Sequence, residues 1–419
     1  MLTQAPRGTR DILPDQVYKW NYLEKIFRDI CGSYGFEEIR TPMFEHTELF
    51  KRGVGDTTDI VEKQMYSFDD NGGRNITLKP EGTASAVRAF VENKMYSNVQ
   101  PTKLFYITPC FRYERPQAGR LRQFHQFGIE VFGSSDPLTD AEVIGVAIDF
   151  FNKIGIKNLE LRINSIGCPD CRNQYREALR SFLSDKLEGL CETCKGRYDR
   201  NPMRILDCKS EACRQKVQGA PKMIDYLCEA CRDDFNSLQD NLSTMNIDFV
   251  IDPDIVRGLD YYTKTAFEII SNEIGAQGTV CGGGRYDNLI EELGGPSTPG
   301  VGFGMGIERL ILTLEKNNID IPKENLTDVF VAVLGEESKK AGIKILKELR
   351  CNGIKGQMDL LGRNLKSQFK YADKLNAAYC IVVGEEELKE NAVLLKDMRS
   401  SEQEKIELSE IIDVIKKRL

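Results

Sequence analysis

Residues 111–130 read FRYERPQAGRLRQFHQFGIE. Lys103 to Pro109 alternates apolar and polar side chains, and Phe111 to Arg115 carries the strand pattern into a loop marked by Pro116 and Gly119. Arg122 to Phe132 then alternates back, which makes the segment a long antiparallel hairpin. Its tip holds four arginines (112, 115, 120 and 122) against the single acid Glu114. The chain as a whole is acidic, with 57 Lys and Arg against 64 Asp and Glu and a net charge of −7. That balance excludes a general nucleic-acid or membrane-surface binder. A dense arginine tip on such a chain suits a polyphosphate, because guanidinium groups stay charged and grip phosphate oxygens in pairs.

Outward from the hairpin, Tyr18 to Tyr34 has the period of an amphipathic helix, with Leu23, Ile26, Phe27, Ile30 and Cys31 on one face. Phe36 to Pro42 reads as a strand, closed by proline. A short strand at Ile76–Leu78 precedes a helix opening at Pro80-Glu81-Gly82-Thr83. Asp140 to Ile154 reads as a helix and Leu159 to Ile166 as a strand. From Cys168 to about Thr244 the chain is charged, cysteine-rich and mostly helical in pattern, which marks an insertion. Strand character resumes at Phe249–Ile251, Thr265–Ile270 and Gly278–Cys281, and Gly302–Glu315 leads from glycines into a helix. After about Pro322 strands (Val329–Leu334, Tyr379–Val383) alternate with helices (Lys339–Arg350, Leu365–Leu375, Ile411–Leu419), the pattern of a small α/β domain with a partly parallel sheet. A length of 419 residues allows two or three domains, and 41% hydrophobic residues exclude a mainly disordered chain. No apolar run approaches the roughly 18 residues of a membrane span. The opening residues hold no apolar signal core, so a cytoplasmic location is expected.

There is no phosphate-binding G-x-x-x-x-G-K-[ST] loop, and Gly302, Gly304 and Gly306 recur at every second residue, which is not the dinucleotide spacing. His46 and His125 are the only histidines, so no serine–histidine–acid triad can be assembled. Alternation turns His125 away from the face shared by Phe124 and Gln126, which gives it a structural role. Eight of 13 cysteines fall in the insertion. Cys168/Cys171, Cys191/Cys194 and Cys228/Cys231 have zinc-knuckle spacing, and Cys208 and Cys213 form a looser pair. These could bind structural zinc at up to two sites or remain thiols, and their pairing is open.

The sequence resembles the class II aminoacyl-tRNA synthetases. Phe111-Arg112-Tyr113-Glu114 with Arg120, Phe124 and Glu130 is similar to their motif 2. Gly300 to Arg309 is similar to motif 3, and Ile39-Arg40-Thr41-Pro42 to motif 1. Arg257-Gly258-Leu259-Asp260-Tyr261-Tyr262 and Gly282-Gly283-Gly284-Arg285-Tyr286-Asp287 resemble the signature peptides of the histidyl-tRNA synthetase family, in class IIa. The likeness runs from Arg7 nearly to the C-terminus.

The resemblance implies an α+β fold: an antiparallel sheet flanked by helices over residues 1–322, with the insertion at about 168–244, and an anticodon-binding α/β domain over 323–419. It implies ATP and L-histidine as substrates, Mg²⁺ as the counter-ion of ATP, tRNA(His) as the acceptor and a homodimer. Arg112 would hold the α-phosphate, Arg120 and Arg309 the outer phosphates, and Glu114 the adenine amino group. Phe124 and the plane of Arg309 would sandwich the base. Arg257 would lie against both the histidine carboxylate and the α-phosphate. Glu81, Thr83 and Gln126 would take the α-amino group, Glu130 and Tyr262 the imidazole, and Tyr286, beside Tyr261, would close the pocket. Arg115, Gln117 and Arg122 are candidates for the acceptor end of the tRNA, and the insertion is expected to steer the tRNA's acceptor arm. Locally basic residues of the last domain include Arg363, Lys366, Lys370, Lys374, Lys396 and Arg399. The competing reading is a non-catalytic, histidine-binding regulatory paralogue of ATP phosphoribosyltransferase, which the intact arginine set opposes.

Overall fold

The computed structural model describes residues 3–55, 58–206, 208, 210–255, 258–273 and 278–419. The chain separates into two compact units, Met1–Ile321 and Pro322–Leu419.

The first unit is built on an eight-stranded sheet in the order Glu37–Glu38, Thr102–Phe111, Gln123–Phe132, Gly300–Gly306, Thr279–Arg285, Thr263–Ser271, Leu159–Ser165, Val250–Ile251. The hairpin supplies two adjacent strands with Cys110 opposite Phe124 and Leu104 opposite Glu130. All central pairs are antiparallel, and only the two short edge strands run parallel to their neighbours. The expected strand at Phe36–Pro42 pairs only at Glu37 and Glu38, since the proline-terminated segment leaves the sheet edge at once.

Alternation divides the sheet into two faces. Phe127, Ile129, Val301, Phe303, Met305 and Phe267 point to a core covered by the helices Val17–Ser33, Pro137–Lys153 and Ile307–Lys316. Phe27 stacks on Phe127 at 4.4 Å, and Phe150 meets both edge-on. The helix at 137 starts as its sequence dictates: the Asp136 side chain accepts from Leu138 N–H at 2.8 Å and Pro137 sits in the first turn, a cap contributing about 1 kcal/mol. The opposite face carries Phe124, Gln126 and Glu130.

The insertion is helical, with Pro169–Leu183 and Glu229–Thr244 enclosing short helices between them. The second unit is a five-stranded mixed sheet in the order Gly356–Met358, Val329–Val333, Tyr379–Val383, Ala392–Asp397, Gln403–Glu407. The first three strands are parallel and the last two antiparallel. Glu336–Cys351 and Ile411–Arg418 pack in one apolar cluster, and Leu365–Lys374 lies against another. Among the described residues no helix is long and apolar enough to cross a membrane.

Candidate active site

The register decides what the open face presents. Phe124, Gln126, Gly128 and Glu130 share it with their partners Cys110, Thr108, Tyr106 and Leu104. The next strand places Gly306, Gly304 and Gly302 opposite Gln126, Gly128 and Glu130. A Cβ at Gly302 would collide with the Glu130 carboxylate, and one at Gly304 with the Gln126 amide. The alternate-residue glycines are therefore one face of a strand stripped of side chains so that a cavity can lie on the sheet.

That cavity, of about 280 Å³, is lined by Glu81, Thr83, Arg112, Glu114, Arg120, Phe124, Gln126, Tyr261, Tyr262, Glu308 and Arg309, together with the glycines 282, 304 and 306. Three of the hairpin and motif 3 arginines thus converge. Arg112 Nε donates to the Pro80 carbonyl at 2.8 Å, and its Cζ lies 5.2 Å from the centre of the Phe124 ring. Arg120 pairs with Glu114 at 3.2 Å. Arg309 Nη1 donates to the Thr279 carbonyl at 2.5 Å. Burial, reinforced by Arg120, pulls the Arg309 pKa below its ordinary value. Of these three guanidiniums only Arg120 donates to a carboxylate, while Arg112 and Arg309 donate to carbonyls, and such a cluster favours a polyanion.

At the other end, Glu81 accepts from Thr83 N–H (2.9 Å) and Ala84 N–H (2.7 Å) at the start of the helix Thr83–Glu92. Burial raises its pKa against those hydrogen bonds. The Gln126 carbonyl oxygen accepts from Gly82 N–H at 2.9 Å, which leaves its amide NH₂ directed past Gly304. Tyr261 and Tyr262, 6% and 5% exposed, form an aromatic wall with ring centres 4.7 Å apart.

Two residues expected at the pocket stand behind its lining. Glu130 is fully buried; one oxygen accepts from Tyr106 Oη at 2.9 Å and the other from Tyr286 Oη. Neither Glu130 nor Tyr286 is a lining residue. Burial pushes the Glu130 carboxyl up to about 8. Because its folded-state pKa is raised, Glu130 favours folding at low pH and loses that contribution between about pH 4.5 and 8. The stability of the parent relative to Glu130→Gln should therefore fall by a few kcal/mol across that window. Urea unfolding at both ends of the window checks it, and parallel pH profiles would refute it.

Tyr106 and Glu308 were not singled out by sequence. Tyr106 occupies the room above Gly128, and the pairing of an aromatic with a glycine across the hairpin is the signal that could have found it. Glu308 accepts from His125 N–H and lies 3.1 Å from its Nδ1, while the His125 ring meets Trp20 edge-on at 4.8 Å. His125 is thus absorbed in packing behind the sheet. Of the residues considered for the acceptor end, Arg115 and Gln117 are exposed. Arg122 is half-buried, its guanidinium 3.9 Å from the centre of the exposed Tyr113 ring and its Nε donating to the Glu114 carbonyl. Arg257 lies outside the described residues. In the second unit, Lys366, Lys370, Lys374 and Arg399 are exposed. Arg363 pairs with Asp359 and stacks on Tyr371, and Lys396 lies over Phe369.

Comparison with known proteins adds independent findings. Residues 8–310 match the family model "Histidyl-tRNA synthetase", and residues 328–418 match "Anticodon binding domain". The chain is 58% identical over 420 residues to the histidine–tRNA ligase of Clostridioides difficile, covering 100% of both chains. It is 61% identical over 416 residues to that of Thermoanaerobacter pseudethanolicus, covering 99% of this chain and 100% of the relative. The crystal structure of apo histidyl-tRNA synthetase from S. aureus superposes with a TM-score of 0.86 at 40% identity, covering 99% of each chain. A stripped strand face under three converging arginines, matched along nearly the whole length, leaves one assignment: the chain belongs to the histidyl-tRNA synthetase family.

Proposed function

We infer that the chain activates L-histidine with ATP and transfers it to the 3′ end of tRNA(His). In the first step a histidine carboxylate oxygen attacks the α-phosphorus of ATP, the bond to the β-phosphate oxygen breaks, and histidyl-adenylate and pyrophosphate result. In the second, a hydroxyl of the terminal ribose attacks the acyl carbon and AMP leaves. The substrate supplies its own nucleophile, so the protein needs to orient and neutralise rather than to provide a catalytic nucleophile.

The observation that carries this reading is the convergence of Arg112, Arg120 and Arg309 on the cavity whose far end is formed by Glu81, Thr83, Gln126, Tyr261 and Tyr262. We assign Arg112 to the α-phosphate, Arg120 and Arg309 to the outer phosphates, and Glu114 and Phe124 to adenine. Arg257 is assigned to the carboxylate and α-phosphate on its motif alone. Glu81, Thr83 and Gln126 take the α-amino group. Tyr262 takes one imidazole nitrogen; Glu130, with Tyr286, serves the other by exchanging a tyrosine hydroxyl for a ring N–H. Such buried polar partners would reject side chains unable to satisfy them. Mg²⁺ accompanies ATP and receives no protein ligand here. The exposed lysines of the second unit are assigned to the anticodon arm, and Arg115 and Gln117 to the acceptor end. A homodimer and a cytoplasmic location belong to the same proposal; exposed Met43 and Phe44 beside Pro42 of motif 1 support self-association.

Histidine-dependent exchange of labelled pyrophosphate into ATP tests the reading. Exchange with histidine and with no other amino acid is expected. Histidine binding without exchange would instead favour the regulatory paralogue.

A further inference from the structure

The cysteines of the insertion take no part in the steps above. Among the described residues, the sulfurs of Cys168, Cys171, Cys228 and Cys231 lie within 4.8 Å of one another, and so do those of Cys191, Cys194, Cys208 and Cys213. The first knuckle is thus paired with the third, about 60 residues away, a choice the spacing alone left open. The Cys168 and Cys171 sulfurs are 3.5 Å apart and those of Cys191 and Cys208 3.9 Å. A disulfide requires about 2.0 Å. Four sulfurs each about 2.3 Å from a central ion stand about 3.8 Å apart in a tetrahedron. An iron–sulfur cluster, in which the four thiolates are divided among two or four sulfide-bridged irons, spreads them further. Backbone amides point at the sulfurs: Cys228 N–H donates to Cys171 Sγ at 3.1 Å and Cys191 N–H to Cys213 Sγ at 3.2 Å. Such donors stabilise metal-bound thiolates. Cys171, Cys194, Cys213 and Cys231 are no more than 2% exposed, Cys168, Cys191 and Cys208 are half-buried and Cys228 is exposed; four thiolates in each site leave a tetrahedral ion no open position, as structural rather than catalytic zinc requires.

We propose that the insertion holds two structural zinc ions, one in each four-cysteine site, and that these brace the loop at 258–262 from behind. The helix Pro169–Leu183 starts at the first site and carries Arg172, whose Nη1 donates to the Tyr262 carbonyl at 3.0 Å. Between the two cysteine pairs of the second site lies the four-residue helix Met203–Leu206. Its Arg204 is 6% exposed; Nη2 donates to the Gly258 carbonyl and to Asp260 Oδ1, both at 2.9 Å, and Nε to the same oxygen at 3.1 Å. Helices of this length do not persist by themselves in water. The four buried cysteines belong to the same apolar cluster as Tyr261, Tyr262 and Tyr286. Metal binding therefore supplies the folding free energy that fixes Arg172 and Arg204, and these act as positioning residues through the tyrosine wall. The bracing rests on the assignment of Tyr262 to histidine; the metal sites do not.

The full chain, purified without added metal, is analysed by mass spectrometry for its metals, and expected to contain two zinc ions per chain. Cys213→Ser and Cys231→Ser should each lower the content to one. If either variant fails to fold, chain produced in cobalt medium gives the second measure, the absorption of two tetrathiolate cobalt centres. Fewer than two metal ions per chain, or iron in their place, overturns the proposal. Arg204→Ala should keep both zincs, raise KM for histidine roughly 10-fold and leave KM for ATP unchanged, with partial recovery in Arg204→Lys. An unchanged KM for histidine, or equal rises in both, overturns the bracing. A zinc-replete parent without exchange activity would refute the ligase reading and leave the metal sites standing.

Discussion

Arg112→Ala lowers kcat for histidine-dependent ATP–pyrophosphate exchange by about 10²–10³-fold, the expected cost of removing one preorganised donor from developing negative charge. The argument starts from how the guanidinium is held. Its Nε is committed to the Pro80 carbonyl at 2.8 Å, and its plane is set over Phe124. The guanidinium is therefore held at the cavity wall before any substrate arrives. Charge accumulates on the α-phosphate oxygens as the carboxylate approaches, and Arg120 and Arg309 are engaged at Glu114 and Thr279. Arg112→Lys restores only part of the loss, since an ammonium cannot donate from a fixed fork. Stability changes little: the side chain is half-buried, and its hydrogen bond to Pro80 contributes about 1 kcal/mol. Steady-state exchange with matched urea midpoints checks both parts, and a variant within about threefold of the parent would remove Arg112 from the reaction.

The motif resemblance singles out this residue for its role, and what the sequence hid follows from the range of the forces concerned. Arg112, Arg120 and Phe124 lie in one hairpin, whose register is set by the alternation of its two strands. Arg309 follows a strand whose alternate glycines have one explanation once the neighbouring strand bears Gln126 and Glu130. The clamp of Tyr106 and Tyr286 on Glu130 was not legible, because it joins side chains 24 and 156 positions apart. The same holds for the cysteine pairing. In the second unit the strands Ala392–Asp397 and Gln403–Glu407 escaped notice for a different reason. Gln403–Glu407 is an edge strand with a single buried residue, Ile406. Its charged side chains protect an open edge and erase the apolar alternation that would have revealed it.

The largest effect on stability is expected at a pair that touches no substrate. Arg285 ends the strand Thr279–Arg285 and is fully enclosed, its side chain 2% exposed and that of Asp140 1%. Its Nε reaches both Asp140 oxygens at 3.1 Å, Nη2 also meets Asp140, and Nη1 donates to the Ser134 carbonyl at 2.8 Å and to Asp287 at 3.2 Å. Burial opposes the charge on Arg285, but Asp140 and Asp287 hold its pKa above the ordinary value. The pair ties the helix Pro137–Lys153 to the residue preceding Tyr286, and so fixes the tyrosine that meets Glu130. Asp140→Ala leaves a buried guanidinium short of its main partner, and should cost about 3–5 kcal/mol, a large share of the roughly 5–15 kcal/mol that holds a typical domain together. Replacing both partners by apolar residues, as in Asp140→Leu with Arg285→Met, removes the stranded charge and should recover much of that loss. Denaturant unfolding of the single and double variants separates the cases: if the double variant is the less stable, the pair contributes net attraction beyond its desolvation cost, and the charge-stranding account fails.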